Sequence, residues 1–211
     1  MLEQIKKDPI LYVVNIFILF MIFSFVGWSY EIINDAIVQG GFHWRASLAG
    51  PWCPIYGIGG LIIIAVLQHF AYNDITKKET TLNKTSSIPS WIIRILVTSL
   101  EIYVIVTIVE LAGSYIIEAT MGYLPWDYST SWGNFEGRIA PVFTMRFVIG
   151  GLVFLYVIKP CVLKWSGKHR HLAINIALGL LILFVVDNVL ETIGVWSDVL
   201  PRETEVFVLP E

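Results

Sequence analysis

Long apolar stretches separated by short polar segments dominate the chain. A membrane-spanning helix needs about 20 mostly apolar residues, because the hydrocarbon core of a bilayer is about 30 Å thick and a helix rises about 1.5 Å per residue. The pattern predicts about five such spans, at residues 9–34, 54–72, 90–120, 139–158 and 172–194. We therefore expect an all-α fold, with residues 1–211 forming one polytopic transmembrane helix bundle.

Glycine and proline crowd the beginning of the second span. These residues are Gly50, Pro51, Pro54, Gly57, Gly59 and Gly60. Proline lacks a backbone N–H group, and both residue types break or bend helices. We therefore expect a loop or a re-entrant segment here, followed by a helix that begins near Pro54.

The positions of Lys and Arg predict the orientation in the membrane. We expect polar loops at residues 73–89 and 159–171, the second opened by Pro160, and a short acidic tail at residues 203–211. With five spans, the N-terminus and both loops share one side with ten basic residues, which are Lys6, Lys7, Lys77, Lys78, Lys84, Arg94, Lys159, Lys164, Lys168 and Arg170. The other side holds four, which are Arg45, Arg138, Arg146 and Arg202. Because basic residues concentrate in cytoplasmic loops, we expect a cytoplasmic N-terminus and an extracytoplasmic C-terminus.

Composition agrees with a membrane protein and excludes other classes. Hydrophobic residues make up 56% of the chain and charged residues 15%, against about 25% charged residues in a soluble domain. The net charge of −3 offers no basic face for nucleic acid. The sequence contains no His-Glu-x-x-His or Cys-x-x-Cys motif, so we expect no metal site and no cofactor.

Several ionisable residues fall inside the predicted spans, where each costs about 2.5–3.5 kcal/mol unless it is compensated. Counted from the outer helix ends, they lie roughly 6 to 15 Å deep. They are Glu31, Glu110, Arg146, Asp187 and Glu191. Either they form a salt-bridge network that fixes helix register, or they line a polar cavity that opens to the outside and binds a substrate, an ion or a lipid headgroup. The surplus of acids over Arg146 favours the cavity.

Three outer-side motifs surround these charges. Gly27-Trp28-Ser29-Tyr30-Glu31 closes the first span, and a Gly-Pro-x-x-Pro-Ile-Tyr-Gly-x-Gly stretch from Gly50 to Gly59, which includes Tyr56, opens the second. Trp126-Asp127-Tyr128-Ser129, then Asn134 and Gly137-Arg138-Ile139, lead into the fourth. Trp28 and Trp126 fit an aromatic belt at the membrane boundary. Asp127 is expected either to cap a turn or to have a functional role, as the partner of Arg138 in a salt bridge or as part of a cavity wall.

Together these motifs resemble the CmpB-type family of ABC-transporter permeases, a group of small bacterial membrane proteins. The resemblance spans roughly residues 23–151, with Glu110, Gly113 and Glu118 at the expected places. It implies a multi-pass protein of the bacterial plasma membrane that acts as a permease. The chain has no G-x-x-x-x-G-K-[ST] phosphate loop, so transport would need a separate ATP-binding subunit.

The functional hypothesis is therefore a permease-like subunit with an outward-facing polar cavity. Its candidate substrate-binding residues are Glu31, Glu110, Arg146, Asp187, Glu191, Trp28, Tyr56, Asp127 and Arg138. One alternative is a membrane enzyme or a lipid- or ligand-binding protein at the outer leaflet, and another is a structural or regulatory membrane protein. No nucleophile or metal signature favours an enzyme. Expected partners are membrane lipid, the ATP-binding subunit and further copies in a homo-oligomer.

Overall fold

The computed structural model describes residues 8–38, 48–67, 90–122, 124 and 126–195, and the regular secondary structure of these residues is all helical. In chain order the helices are α1 (Pro9–Val38), α2 (Pro54–Leu67), α3 (Ser90–Met121), α4 (Pro141–Lys168) and α5 (Arg170–Thr192). Within the described ranges there is no strand, only an isolated bridge between Phe135 and Ile139. The predicted all-α fold class is confirmed.

Among the described residues, four helices are long and apolar enough to cross a membrane, namely α1, α3, α4 and α5. Helix α2 begins at Pro54 as predicted, and its described length corresponds to about 21 Å. Residues 68–72 of the predicted second span lie outside the described residues, as do the predicted loop at 73–89 and the acidic tail. The crossing by the second span therefore stays a prediction.

The predicted polar loop at residues 159–171 is wrong, because α4 stays helical up to Lys168 and the chain bends only at His169. The helix accommodates Pro160 with a π-helical turn, Phe154–Ile158, in which the N–H of Lys159 donates to the carbonyl of Phe154. Pro160 cannot donate a hydrogen bond, and its ring would crowd the carbonyl one turn earlier. A wider π turn directly before the proline relieves that crowding, so the proline does not end the helix.

The chain divides into two compact units. The first comprises Met1–Leu61 and Cys161–Glu211, and in it α1 packs against α5. The second comprises Ile62–Pro160, and in it α3 packs against α4.

The second unit has a small apolar core between its helices. Ile63, Ile102 and Val148 are buried there together with two further apolar residues, Leu67 and Val106. Outside this core α3 exposes many large apolar side chains, including Trp91, Leu96, Leu100, Ile108 and Ile116. So large an apolar surface is unusual for a soluble monomer, and it is what lipid contact requires.

In the first unit, Asp8 joins the beginnings of α1 and α5. Its Oδ1 accepts a hydrogen bond from the N–H of Leu11 at 3.0 Å, which is the geometry of a helix N-cap. Its carboxylate also accepts from Arg170, at 2.5 Å from Nε and 3.3 Å from Nη2. The hydrogen bond from Arg170, helped by that from Leu11, lowers the pKa of Asp8 below its ordinary value of 3.8.

We expect acid to weaken this junction in a way that depends on the Asp8 charge. Because the pKa is lowered on folding, the contribution of Asp8 is complete above about pH 4 and is lost as the pH falls through the folded-state value. The Asp8→Asn variant keeps a capping oxygen and loses the charge. Its melting temperature in detergent should therefore fall less than that of the wild type between pH 5 and pH 3. Parallel acid curves for the two proteins would contradict this assignment.

Candidate functional site

A buried carboxylate of α5 holds the non-helical residues 48–53, which we call the Gly-Pro segment. Asp187 is only 6% exposed. Its Oδ1 accepts a hydrogen bond from the N–H of Ala49 at 3.1 Å. Its Oδ2 accepts from the N–H of Gly50 at 3.0 Å and from the indole Nε1 of Trp52 at 2.8 Å. Three hydrogen bonds to one carboxylate compensate a buried negative charge, because charge-assisted bonds are about twice as strong as neutral ones.

The Gly-Pro segment is also fixed against α1 and against the apolar face of α5. The N–H of Cys53 donates to the carbonyl of Ser24 in α1 at 2.9 Å. The ring of Trp52 packs edge-on against Phe184, with centroids 6.1 Å apart. Phe184 lies about one turn before Asp187, so one stretch of α5 supplies both the apolar and the acidic contact for Trp52.

Glycines bring α2 close to α1. A Cβ atom added to Gly27 would lie 2.1 Å from Cγ of Tyr56. One added to Gly57 would lie 2.3 Å from Oγ of Ser24. Real Cβ contacts are essentially never this short, so only glycine permits the approach, as at other close helix contacts in membranes. The glycines of the first two motifs therefore make one packing surface.

The same contact pairs the acid of the first motif with the tyrosine of the second. The hydroxyl of Tyr56 donates a hydrogen bond to Oε1 of Glu31. Trp28, one turn earlier on α1, stacks on Phe25 with centroids 6.2 Å apart. A half-buried carboxylate and a phenol are thus held together at the C-terminal part of α1.

In the second unit, the loop of residues 126–140 is folded by its own hydrogen bonds, and we call it the WDYS loop. The indole Nε1 of Trp126 donates to the carbonyl of Arg138 at 2.7 Å, and the N–H of Tyr128 donates to the carbonyl of Gly137 at 2.8 Å. Tyr128 stacks on Phe143 of α4, with centroids 4.1 Å apart. These contacts close the loop over the beginning of α4.

Asp127 caps a turn within this loop, as one of the two sequence interpretations predicted. Its Oδ1 accepts from the N–H of Ser129 at 2.8 Å. This hydrogen bond, with a second from the Ser129 side chain, lowers the pKa of Asp127 below its usual value. Gly137, with φ of +68°, approaches so closely that a Cβ there would lie 2.9 Å from Asp127 Oδ1.

Arg138 connects the loop to α3 through two acids and an aromatic ring. Its guanidinium contacts the carboxylate of Glu118 on α3 and lies 3.4 Å from that of Glu136 in the loop. It also lies over the ring of Tyr115, 4.0 Å from the centroid, and the Tyr115 hydroxyl donates to Glu136 at 2.5 Å. The hydrogen bond to Glu118 raises the pKa of Arg138. Two carboxylates therefore compensate one cation at the C-terminal end of α3.

Deeper in the same unit, Glu110 of α3 meets Thr144 of α4. The buried hydroxyl of Thr144 donates to Oε2 of Glu110 at 3.1 Å. Arg146 is two residues after Thr144 on α4, and its guanidinium lies 4.9 Å from the centroid of the Phe143 ring. An acid inside an apolar helix is thus given one specific polar partner on the neighbouring helix.

Comparison with known families decides which family the chain belongs to. The sequence model of the family described as "Putative ABC-transporter type IV" matches residues 18–192. The chain belongs to this family. No curated protein and no solved structure matches it significantly. The matched range contains the Gly-Pro segment, the WDYS loop and Asp187.

The charges that were predicted to share one site belong to two different units of the structure. Glu31, Asp187 and Glu191 belong to the first unit, and Glu110 and Arg146 belong to the second. Within the first unit, the contacts of Glu31 and Asp187 both involve the Gly-Pro motif. A single cavity lined by all five charges stays a prediction.

The sequence interpretation missed the partners of these charges. It named Arg138 and Glu118 but did not pair them, and it gave no role to Thr144 and no partner to Asp187. Tyr56 and Glu31 were both candidates, and the glycines near them, Gly27 before Glu31 and Gly57 after Tyr56, were the signal that could have joined them. Metal-binding groups of three or more His, Cys, Asp or Glu side chains are absent from the residues that the structure describes.

Proposed function

We propose that this protein is the membrane subunit of an ABC-type transporter in the bacterial plasma membrane, with a cytoplasmic N-terminus and an extracytoplasmic C-terminus. Polar groups within its helices line an outward-facing cavity that binds the substrate. A separate ATP-binding subunit supplies energy, because the sequence contains no phosphate loop of its own. Membership of the type IV family supports the transport class.

The contact between Glu110 and Thr144 carries the proposal. Counted back from the end of α3 at Met121, Glu110 lies about 16 Å along the helix, which is near the middle of a bilayer core. An ionisable side chain at that depth is costly and is found mainly where it faces a polar pathway. Thr144 supplies one hydrogen bond and leaves other carboxylate lone pairs for a substrate. Arg146, two residues after Thr144 on α4, is the proposed cation of the site.

Asp187 supports the proposal in a different way. Its carboxylate already accepts three hydrogen bonds from the protein, so we assign it to positioning the Gly-Pro segment within the first unit. That geometry also favours a second candidate function, a structural membrane protein whose polar contacts only fix helix register. Glu31 and Glu191 remain candidate cavity residues of the first unit, and Arg138 and Asp127 belong to the proposed rim.

Co-purification tests the proposal. The tagged protein would be extracted from its native membrane in mild detergent, and the bound proteins and small molecules would be identified by mass spectrometry. We expect an ATP-binding subunit at fixed stoichiometry and a retained substrate. A retained lipid-linked molecule without any ATP-binding subunit would contradict transport and favour action at the outer leaflet.

Glu110→Gln should preserve the assembly and reduce the retained substrate about tenfold or more, because hydrogen bonds to charged groups contribute about 1.5–3 kcal/mol. Thr144→Val should reduce retention for the same reason, since Glu110 loses its partner. Thr144→Ser keeps the hydroxyl and serves as the matched control, with near wild-type retention. Equal retention by all three variants would remove Glu110 from the site and favour the structural alternative.

A further inference from the structure

Two aromatic side chains lie exposed at the tip of the WDYS loop, which we define as residues 129–135. Trp132 is 88% exposed and Phe135 is 52% exposed. The other two aromatic rings of the loop are used to fold it, because Tyr128 stacks on α4 and the indole of Trp126 donates to a backbone carbonyl. The tip therefore presents an apolar surface that is available to a partner.

The tip lies beside the beginning of α4. A Cβ atom added to Gly133 would lie 3.3 Å from Cγ of Pro141, the first residue of that helix. The N–H of Phe135 also donates to the carbonyl of Ile139 at 3.0 Å, which holds the tip near the same helix end. Val142 is 55% exposed, so the apolar surface of this membrane-crossing helix begins directly beside the tip.

The tip has no ionisable side chain, and several of its polar groups are bonded within the loop. The side-chain amide of Asn134 donates to the carbonyls of Ser129 and Ser131, at 3.0 Å and 2.9 Å. The side-chain oxygen of Asn134 accepts from the N–H of Gly137 at 3.0 Å, and the N–H of Asn134 donates to Ser131. Unsatisfied backbone groups are costly in lipid, so this internal bonding lowers the cost of contact with a membrane.

The charged residues nearest the tip already have partners. Arg138 contacts Glu118 and lies 3.4 Å from Glu136. The carboxylate of Asp127 accepts a hydrogen bond from the N–H of Ser129. Since these charges are compensated within the unit, the aromatic rings are the groups that select what the tip binds.

We propose that the tip of the WDYS loop inserts into the interfacial region of the surrounding bilayer, with Trp132 and Phe135 as its anchors. Tryptophan has a large apolar body and one N–H group, and it is enriched at membrane–water interfaces for that reason. Lipid is favoured over a soluble protein because the tip continues the apolar surface of α4 that begins at Val142. The orientation predicted from Lys and Arg makes this the outer leaflet. The inference depends on α4 crossing the membrane and is independent of transport.

Tryptophan fluorescence of the full chain in phosphatidylcholine nanodiscs tests the insertion. Lipid with brominated acyl chains quenches indoles that contact the bilayer, and iodide quenches indoles that contact water. The contribution of Trp132 is the emission that the Trp132→Phe variant loses. We expect brominated lipid to quench this emission and iodide to leave most of it, with a maximum at shorter wavelength than that of tryptophan in water. Emission that iodide quenches freely and brominated lipid does not would overturn the proposal and favour a soluble partner.

A matched pair of variants tests the second anchor. Phe135→Glu places a charge at the tip and should raise the iodide quenching of Trp132 severalfold, because a charged side chain is costly within the bilayer. Phe135→Leu keeps an apolar side chain and should be quenched as the wild type is. Trp91 of α3, which is 63% exposed, supplies the reference for an indole on a membrane-crossing helix. Equal iodide quenching in the two Phe135 variants would overturn the insertion, and melting temperatures in detergent confirm that each variant is folded.

Discussion

Replacing Asp187 with alanine is expected to lower the free energy of unfolding by about 3 kcal/mol or more. The change leaves the N–H groups of Ala49 and Gly50 and the indole of Trp52 without their acceptor. A buried donor that loses its partner costs about 1–3 kcal/mol, and here three donors lose one shared partner. Thermal unfolding in detergent, followed by tryptophan fluorescence, measures the loss.

The companion variants identify the cause. Asp187→Asn keeps one oxygen but presents an amide N–H₂ group to the remaining donors, so we expect an intermediate loss. Glu191→Gln alters an acid one turn later on the same helix and should change stability by less than about 1 kcal/mol. Limited proteolysis should cut the Gly-Pro segment in Asp187→Ala before any other described loop. If Asp187→Ala has the same melting temperature as Glu191→Gln, the Gly-Pro segment is held by other contacts.

The second large effect is expected from two adjacent glycines of α2. A Cβ added to Gly60 would lie 2.1 Å from Cδ2 and 2.2 Å from Cε2 of Phe23, whereas one added to Gly59 meets nothing within 4 Å. Gly60→Ala therefore forces α1 and α2 apart or moves a ring, at a cost of about 1–3 kcal/mol. Gly59→Ala adds only helix propensity, with a gain of up to about 1 kcal/mol.

The two variants are well matched, because they have the same composition and the substituted positions are adjacent in the chain. Melting temperatures of the purified proteins should move in opposite directions from the wild type. A loss of similar size in both would mean that α2 tolerates no alanine for reasons of backbone conformation, and it would contradict the close approach of α1 to Gly60.

The long helices were predictable because each depends on the hydropathy of its own residues. An uncharged apolar run is sufficient to predict α1, although the helix extends to Val38, beyond the predicted end at residue 34. The turn at Asp127 was predictable as one of two alternatives, since its partner Ser129 is two residues away. The end of α4 was mispredicted because a proline usually ends a helix. Nothing in the local sequence predicts the π turn that accommodates Pro160 here.

The contacts of the candidate site depend on residues far apart in the chain, and these could not be predicted. Asp187 and Trp52 are separated by 135 positions. The hydropathy of one segment carries no information about which residues of the other segment it contacts. Glu110 and Thr144 lie on different spans, with many alternative hydroxyl groups within the sequence. Composition shows that buried charges need partners, but only the packing of the helices selects them.

The hydrogen bonds of Asp187 also have a consequence for biosynthesis. The ribosome must add 135 residues after Trp52 before the acceptor for its indole exists. Until then the amides of Ala49 and Gly50 must be solvated by water or by the insertion machinery, because unsatisfied N–H groups are costly in lipid. The Gly-Pro segment therefore matures last, when α5 is inserted.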